Sequence, residues 1–135
     1  MKTPVWVLEE AVLALHEQLL AAFGGSSGLR DRGLFESALA RPENLLAYGK
    51  PSVFDLAASY GFSLVKHHPF IDGNKRTGFT VAVTFLQLNG YQFEAAEADA
   101  TVQTLGLAAG AITERQFSAW LQANARRRKK TSIKS

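Results

Sequence analysis

Cysteine is absent from the sequence, which excludes a disulfide framework, a thiolate nucleophile and a zinc–thiolate site. Proline is scarce, with 4 among 135 residues, and 11 glycines is an ordinary number, so neither a collagen-like nor a low-complexity chain is in question. No apolar run approaches the ~20 residues that a membrane span needs, and Met1-Lys2-Thr3-Pro4 opens the chain without a signal-peptide core. These absences set the expectation of a soluble cytoplasmic protein with no membrane partner. Hydropathy nowhere alternates with period two over a useful length, and no segment repeats, which argues against sheet folds and solenoids. A strong charge of one sign is missing from the body of the chain as well. The formal charge is +3, but Arg126, Arg127, Arg128, Lys129, Lys130 and Lys134 place six basic residues in the last ten positions. Residues 1–125 hold nine basic against twelve acidic residues, a balance of −3. The expected organisation is one domain over 1–125 and a disordered basic tail over 126–135. Such a tail has the charge to contact nucleic acid or an acidic partner, but a solvated terminus is the plainer reading.

What is present is helical periodicity. Leu8, Val12, Leu15 and Leu19 predict a first helix ending at Gly24-Gly25. After a loop over 24–28, Asp31 caps a short helix with Leu34, Ala38 and Leu39, which Pro42 ends. Residues 43–52 read as a connection or small flap carrying Leu45, Leu46, Ala47 and Tyr48. Ser52 caps a helix from Val53 to His67 that is apolar on most sides, and a second such helix runs from Asn74 to Asn89-Gly90. A short extended Tyr91-Gln92-Phe93 follows, then a helix over Glu97 to Ala109 with Val102, Leu105 and Ala109 inward. Thr113 and Gln116 form a capping-box signature before a last helix with Phe117, Trp120 and Leu121. The fold class is all-α, about six helices around two buried ones.

The two buried helices are joined by His68-Pro69-Phe70-Ile71-Asp72-Gly73-Asn74-Lys75-Arg76-Thr77. Gly73 permits a tight turn and Asn74 is a good cap, so the free amides of the following helix form an anion site. Lys75 and Arg76 add two cations at that positive end, an arrangement that makes sense with bound phosphate. Asp72 beside phosphates calls for a bridging divalent cation, and magnesium uses one or two carboxylates together with phosphate oxygens. His68 is the side chain able to accept a proton near neutral pH. The plainer readings are an ordinary Asp72-Gly73 turn, a core anchor in Phe70, and a helix-end dipole contact for His67. They leave unexplained why cations crowd the wrong end of a helix.

At these residues the chain closely resembles the Fic/Doc (Fido) family, whose pattern His-x-Phe-x-(Asp/Glu/Ala)-(Gly/Ala)-Asn-(Gly/Lys)-Arg agrees with His68 to Arg76 at every defined position. Lys75, where the commoner motif has Gly, looks like the Doc branch, the death-on-curing toxins of prophage toxin–antitoxin modules. Ala14-Leu15-His16-Glu17, Gly28-Leu29-Arg30-Asp31 and Ser37 to Pro42 extend the resemblance over roughly Leu8 to Trp120. It implies the Fido fold and transfer of a phosphoryl group from ATP, with Mg2+, to a protein hydroxyl, by resemblance on translation elongation factor Tu. His68 is then the general base, Asp72 the magnesium ligand, and Gly73, Asn74, Lys75 and Arg76 the phosphate site. Leu45 to Tyr48 would be the flap that holds the target. AMP-transferring relatives usually carry a second Arg where Phe79 stands, which argues against nucleotidyl transfer, the competing enzymatic reading. No Glu has Ser or Thr four residues before it, so the self-inhibitory motif of some family members is absent. Inhibition would come from a Phd-like antitoxin whose tail folds on binding, and DNA contact would run through that antitoxin rather than this chain. A non-enzymatic binding module is the remaining alternative, disfavoured by the acidic body and by aromatics at core spacing.

Overall fold

The computed structural model describes residues 3–129. Along the chain these form α1 (Glu9–Phe23), α2 (Arg32–Tyr48), α3 (Val53–His67), α4 (Asn74–Leu88), β1 (Tyr91–Phe93), α5 (Glu97–Ala109), α6 (Glu114–Ala123) and β2 (Ala125–Arg127). The expected all-α class is what forms, and α3 and α4 are its centre. α3 is buried on nearly every side, from Phe54 to Val65, and α4 lays Val81, Ala82, Phe85 and Leu86 against it. The two helices cross where Gly61 meets Gly78: a Cβ added to Gly78 would stand 3.0 Å from the Gly61 carbonyl oxygen. None of the described helices is long and apolar enough to cross a membrane.

Capping accounts for several helix starts. The Ser52 hydroxyl accepts from the Asp55 amide while the Asp55 carboxylate accepts from the Ser52 amide. Burial by itself would raise the Asp55 pKa, but the bonds from Ser52 and Ser118, with nearby Arg115, outweigh it and hold the carboxyl below its usual value. Thr113 and Gln116 make the same reciprocal pair at α6, and Asp31 accepts from the Leu34 amide at α2.

Four expectations need correction. α2 does not stop at Pro42 but runs through it to Tyr48. A proline inside a helix removes one backbone bond and costs roughly 3 kcal/mol. Here the turns around it are held from outside: Pro42 is buried, Leu45 and Leu46 pack on the core, and Arg41 makes a bidentate pair with Glu114 (2.6 and 2.8 Å) and a bond to Ser59. Leu45, Leu46, Ala47 and Tyr48 are therefore the last turn of a helix, not a loop. On α1 the inward line is Val12, His16 and Leu20, and Leu8 is exposed. On α5, Val102, Leu105 and Ala109 face outward while Thr104 and Leu107 face in. On the inward side Gly106, beside Leu107, packs closely on Ile112, where a side chain would clash. Finally, Arg126 and Arg127 belong to β2, paired antiparallel with Gln92 and Tyr91, and the Arg128 amide donates to the Gly90 carbonyl. The basic segment is thus ordered where it begins. The rest of the expected tail, 130–135, lies outside the described residues.

Candidate functional site

The chain leaves α3 at His68 in a left-handed conformation, φ 48° and ψ 55°, the one non-glycine residue with positive φ among those described. That conformation is strained for a histidine and needs outside support. Support comes from the segment after α1. Arg30 donates from Nε to the His68 carbonyl (2.7 Å) and from a terminal nitrogen to the His67 carbonyl (2.9 Å), closing the free end of α3. The Arg30 and Asp31 amides both donate to the Pro69 carbonyl, and the Ile71 amide donates to that of Gly28. Residues 28–31 thus form a strap along the motif loop.

Inside the loop, Phe70 is the anchor that the plainer reading expected, 1% exposed and edge-on to Phe35. Asn74 behaves differently from expectation. The cap of α4 is Gly73, at φ 79°, and the Asn74 side chain makes no cap bond. Its carbonyl accepts from the Phe70 amide (2.9 Å) and its amide donates to the Phe70 carbonyl (3.0 Å). A side chain clasped in this way fixes the loop, and the anion site is left to the backbone amides of the first turn of α4, which have no partner within the helix. Asn74 Nδ2 also lies 3.4 Å from His68 Nδ1. A donor there favours the tautomer with its proton on Nε2, so a proton acceptor at Nε2 requires that contact to be released. At this length it is a weak bond.

Asp72 is exposed at the lip of the loop, and one carboxylate oxygen accepts from the Ser26 amide (3.0 Å). No cluster of three or more acidic, histidine or cysteine side chains that could hold a metal occurs among the described residues. A single carboxylate is nevertheless the donor set that suits magnesium when nucleotide phosphates complete its shell. Lys75 and Arg76 project from the first turn of α4, and neither is in an ion pair among the described residues. Arg76 instead lays its guanidinium 3.9 Å from the centre of the Phe23 ring at the end of α1. The cation at the positive helix end is therefore partly offset by an aromatic face.

These groups line one cleft of about 660 Å³, within the range of small-molecule sites. His68, Asp72, Gly73, Asn74, Lys75 and Arg76 line it together with Leu19 and Phe23 of α1 and Glu97, Thr101 and Leu105 of α5. The six loop residues picked out from the sequence are thus brought together. Leu45, Leu46, Ala47 and Tyr48 do not line the cleft. Sequence reasoning missed the α5 wall, Phe23, Arg30 and His16. For His16 there was a signal, a polar residue centred on the apolar face of α1. For Phe23 and the α5 wall there was none, because their outward stripe reads as core.

Residues 6–86 match the model of the Fic/DOC family. A protein of Mycolicibacterium smegmatis (strain ATCC 700084 / mc(2)155) named Toxin Doc is 46% identical over 77 residues, 55% of this chain and 58% of that relative. A protein of Escherichia phage P1 named Protein kinase doc is 36% identical over 107 residues, 77% of this chain and 82% of that relative. The similarity spans little more than half the length of the first relative and most of the second.

Proposed function

The chain belongs to the Fic/DOC family, and from that premise we propose that it is a Doc-type toxin, a protein kinase moving a phosphoryl group from ATP to a hydroxyl of a target protein. The observation that carries this reading is the sharing of one cleft by a proton acceptor, a carboxylate and two cations at a helix N-terminus. ATP phosphates would lie on the first-turn amides of α4 with Lys75 and Arg76 around them, and Asp72 would hold magnesium. Bound magnesium supplies charge neutralisation to those phosphates. His68 takes the proton of the target hydroxyl, whose oxygen attacks the terminal phosphorus in line. The bond from that phosphorus to its bridging oxygen breaks, and ADP leaves with the electron pair. Such a transfer needs positioning and charge compensation more than covalent chemistry. Phe79 supports phosphoryl over nucleotidyl transfer: where AMP-transferring relatives usually place a second Arg, this half-buried ring packs against Phe93 and Trp120.

The finer parts of the reading are translation elongation factor Tu as target, the exposed end of α2 around Tyr48 as the surface that meets it, and neutralisation by a Phd-like antitoxin in the cytoplasm. The test uses ATP labelled in either its γ- or its α-phosphate, with purified elongation factor Tu and then with a bacterial translation extract. Protein labelled only from the γ position is the expected result. Label carried from the α position would overturn the kinase reading, and an unlabelled factor beside a labelled extract would remove only the named target.

A further inference from the structure

His16 takes no part in the chemistry above, yet it is among the most completely buried side chains, 2% exposed on the inward face of α1. Its ring lies flat on Phe70, with centroids 3.7 Å apart and planes 11° from parallel. Its Nε2 lies 2.8 Å from the carbonyl oxygen of Asp72. A carbonyl only accepts, so Nε2 carries a proton and donates. A buried imidazole needs a partner, and any nearby carbonyl would serve that need. The one it has belongs to the peptide joining Asp72 to Gly73, at the centre of the motif loop.

We propose that His16 is a positioning residue for phosphoryl transfer, its Nε2–H holding the Asp72–Gly73 peptide in the one orientation that aims the Gly73 N–H, just ahead of the first turn of α4, into the cleft. The proposal rests on the kinase reading of that cleft. The physical need for such a tie comes from Gly73. A peptide followed by glycine can turn over, because glycine adopts either sign of φ at little cost. At φ 79° the carbonyl of Asp72 points to His16; turned over, it would point away from α1, on the side of the cleft that Gly73 lines. A carbonyl oxygen there would replace the Gly73 N–H and repel phosphate, and Asp72 would lose the fixed ψ that orients it. The hydrogen bond removes that second state. Phe70 keeps the imidazole flat and Gly73 passes close to it, a Cβ on Gly73 standing 3.6 Å from His16 Nε2. A second tie, the Ser26 amide on the Asp72 carboxylate, comes from the loop that follows α1. α1 and the loop that follows it therefore bring both ties to Asp72, though neither contributes a reacting atom.

Two substitutions separate positioning from plain core packing. His16→Phe keeps the ring and its stack but lacks the donor, and His16→Gln returns an N–H at nearly the reach of Nε2. The measurements are kcat, KM for ATP, the magnesium concentration at half-maximal rate, and the Gly73 amide signal in a 15N–1H spectrum, which does not depend on activity. His16→Phe should fold, lose ~10–100-fold in kcat with KM for ATP changed far less, and need more magnesium. Its Gly73 amide should move or broaden, and His16→Gln should restore both rate and signal. A His16→Phe protein with wild-type kcat, or with its Gly73 amide unmoved, overturns the proposal. Should His16→Phe not fold, the side-chain 15N shifts of His16 in the unaltered protein decide, Nε2–H supporting the tie and Nδ1–H refuting it. If the unaltered protein transfers no phosphate, the kinase reading falls, and the Gly73 signal alone still tells whether His16 holds the peptide.

Discussion

The crossing of α3 and α4 fixes the two helices that carry the ends of the motif loop, and Gly78→Ala tests it. The added methyl would sit 2.9 Å from Val65 Cγ2 and 3.0 Å from the Gly61 carbonyl oxygen. Two effects oppose each other. Replacing a helical glycine by alanine stabilises by ~1 kcal/mol when nothing is in the way. Overpacking a filled core costs ~1–3 kcal/mol. The nature of the obstacle decides which wins. Val65 is β-branched and stiff within a helix, and the Gly61 oxygen is backbone, which moves only if α3 moves. The cost should lie at the upper end of its range, ~2–3 kcal/mol, leaving a net loss of ~1–2 kcal/mol after the helical gain or roughly 3–8 °C in Tm, read by urea and thermal unfolding with far-UV circular dichroism. Because α3 ends at His68, a displaced α3 also displaces the proposed base. Transfer should therefore fall even at temperatures where the variant is fully folded. Gly33→Ala is the control, since its methyl meets only the Asp31 side chain at 3.4 Å, and it should be neutral or stabilising. A Gly78→Ala protein as stable and as active as wild type would refute the geometry of the crossing.

His68→Ala should lower transfer ~10²–10⁴-fold, the usual range for loss of a general base, with circular dichroism and Tm close to wild type. Phe23→Ala removes the face on which Arg76 rests; an exposed cation–π contact of ~0.5–1 kcal/mol predicts ATP binding weakened about two- to five-fold by calorimetric titration. Arg76→Ala should weaken it further, because the phosphate-facing donors themselves are lost. The buried Tyr60 hydroxyl accepts from the Val7 amide, and burial, with Glu43 adding, outweighs that bond and pushes its pKa up to about 12. The folded state then keeps a proton that the unfolded chain releases near pH 10, so this contribution to stability is complete below pH 10 and is lost as pH rises toward 12. Tyr60→Phe should remove that alkaline slope in pH-dependent urea unfolding, and should cost ~1–3 kcal/mol at neutral pH by stranding the Val7 amide.

What could be read from the sequence was local chemistry. The capped start of α3 at Ser52, the Thr113–Gln116 box and the polar loop between two apolar helices are all signals contained within a few residues. The errors came where a distant partner decides. Pro42 looks like a helix end until Arg41 is seen gripping Glu114 on α6. The stripe Val102, Leu105 and Ala109 looks inward, but the rest of the core takes the other face of α5 and buries Thr104 and Leu107. Asn74 is the instructive case within the site. A residue well suited to capping was read as a cap, but the left-handed Gly73 took that place and freed the side chain to clasp Phe70. Arg30 falls in the same class, and so does the partner of His16. The helical period marks His16 as a polar residue on the apolar face of α1. Yet each of the two acts on the loop from more than 35 positions away, and no local pattern names its partner.

The loop itself explains why so many distant residues converge on it. His68 sits in a conformation that costs a non-glycine residue ~1–3 kcal/mol, and Gly73, at the other end of the loop, has two conformations of similar energy. Left alone, such a loop would spread over several states, and its base, carboxylate and amides would seldom be aligned together. The ties bear on successive peptides: Arg30 on the carbonyls of His67 and His68, the Arg30 and Asp31 amides on that of Pro69, Asn74 on Phe70, and His16 on Asp72. Phe70, buried between His16 and Phe35, fastens the middle to the core. Each bond alone contributes only ~1 kcal/mol net, but together they exceed the strain at His68 and leave one arrangement. The ordering is done when the chain folds. On the proposed reading a phosphate entering the cleft would meet donors already aimed, the condition under which charge stabilisation of a transferring phosphoryl group is most effective.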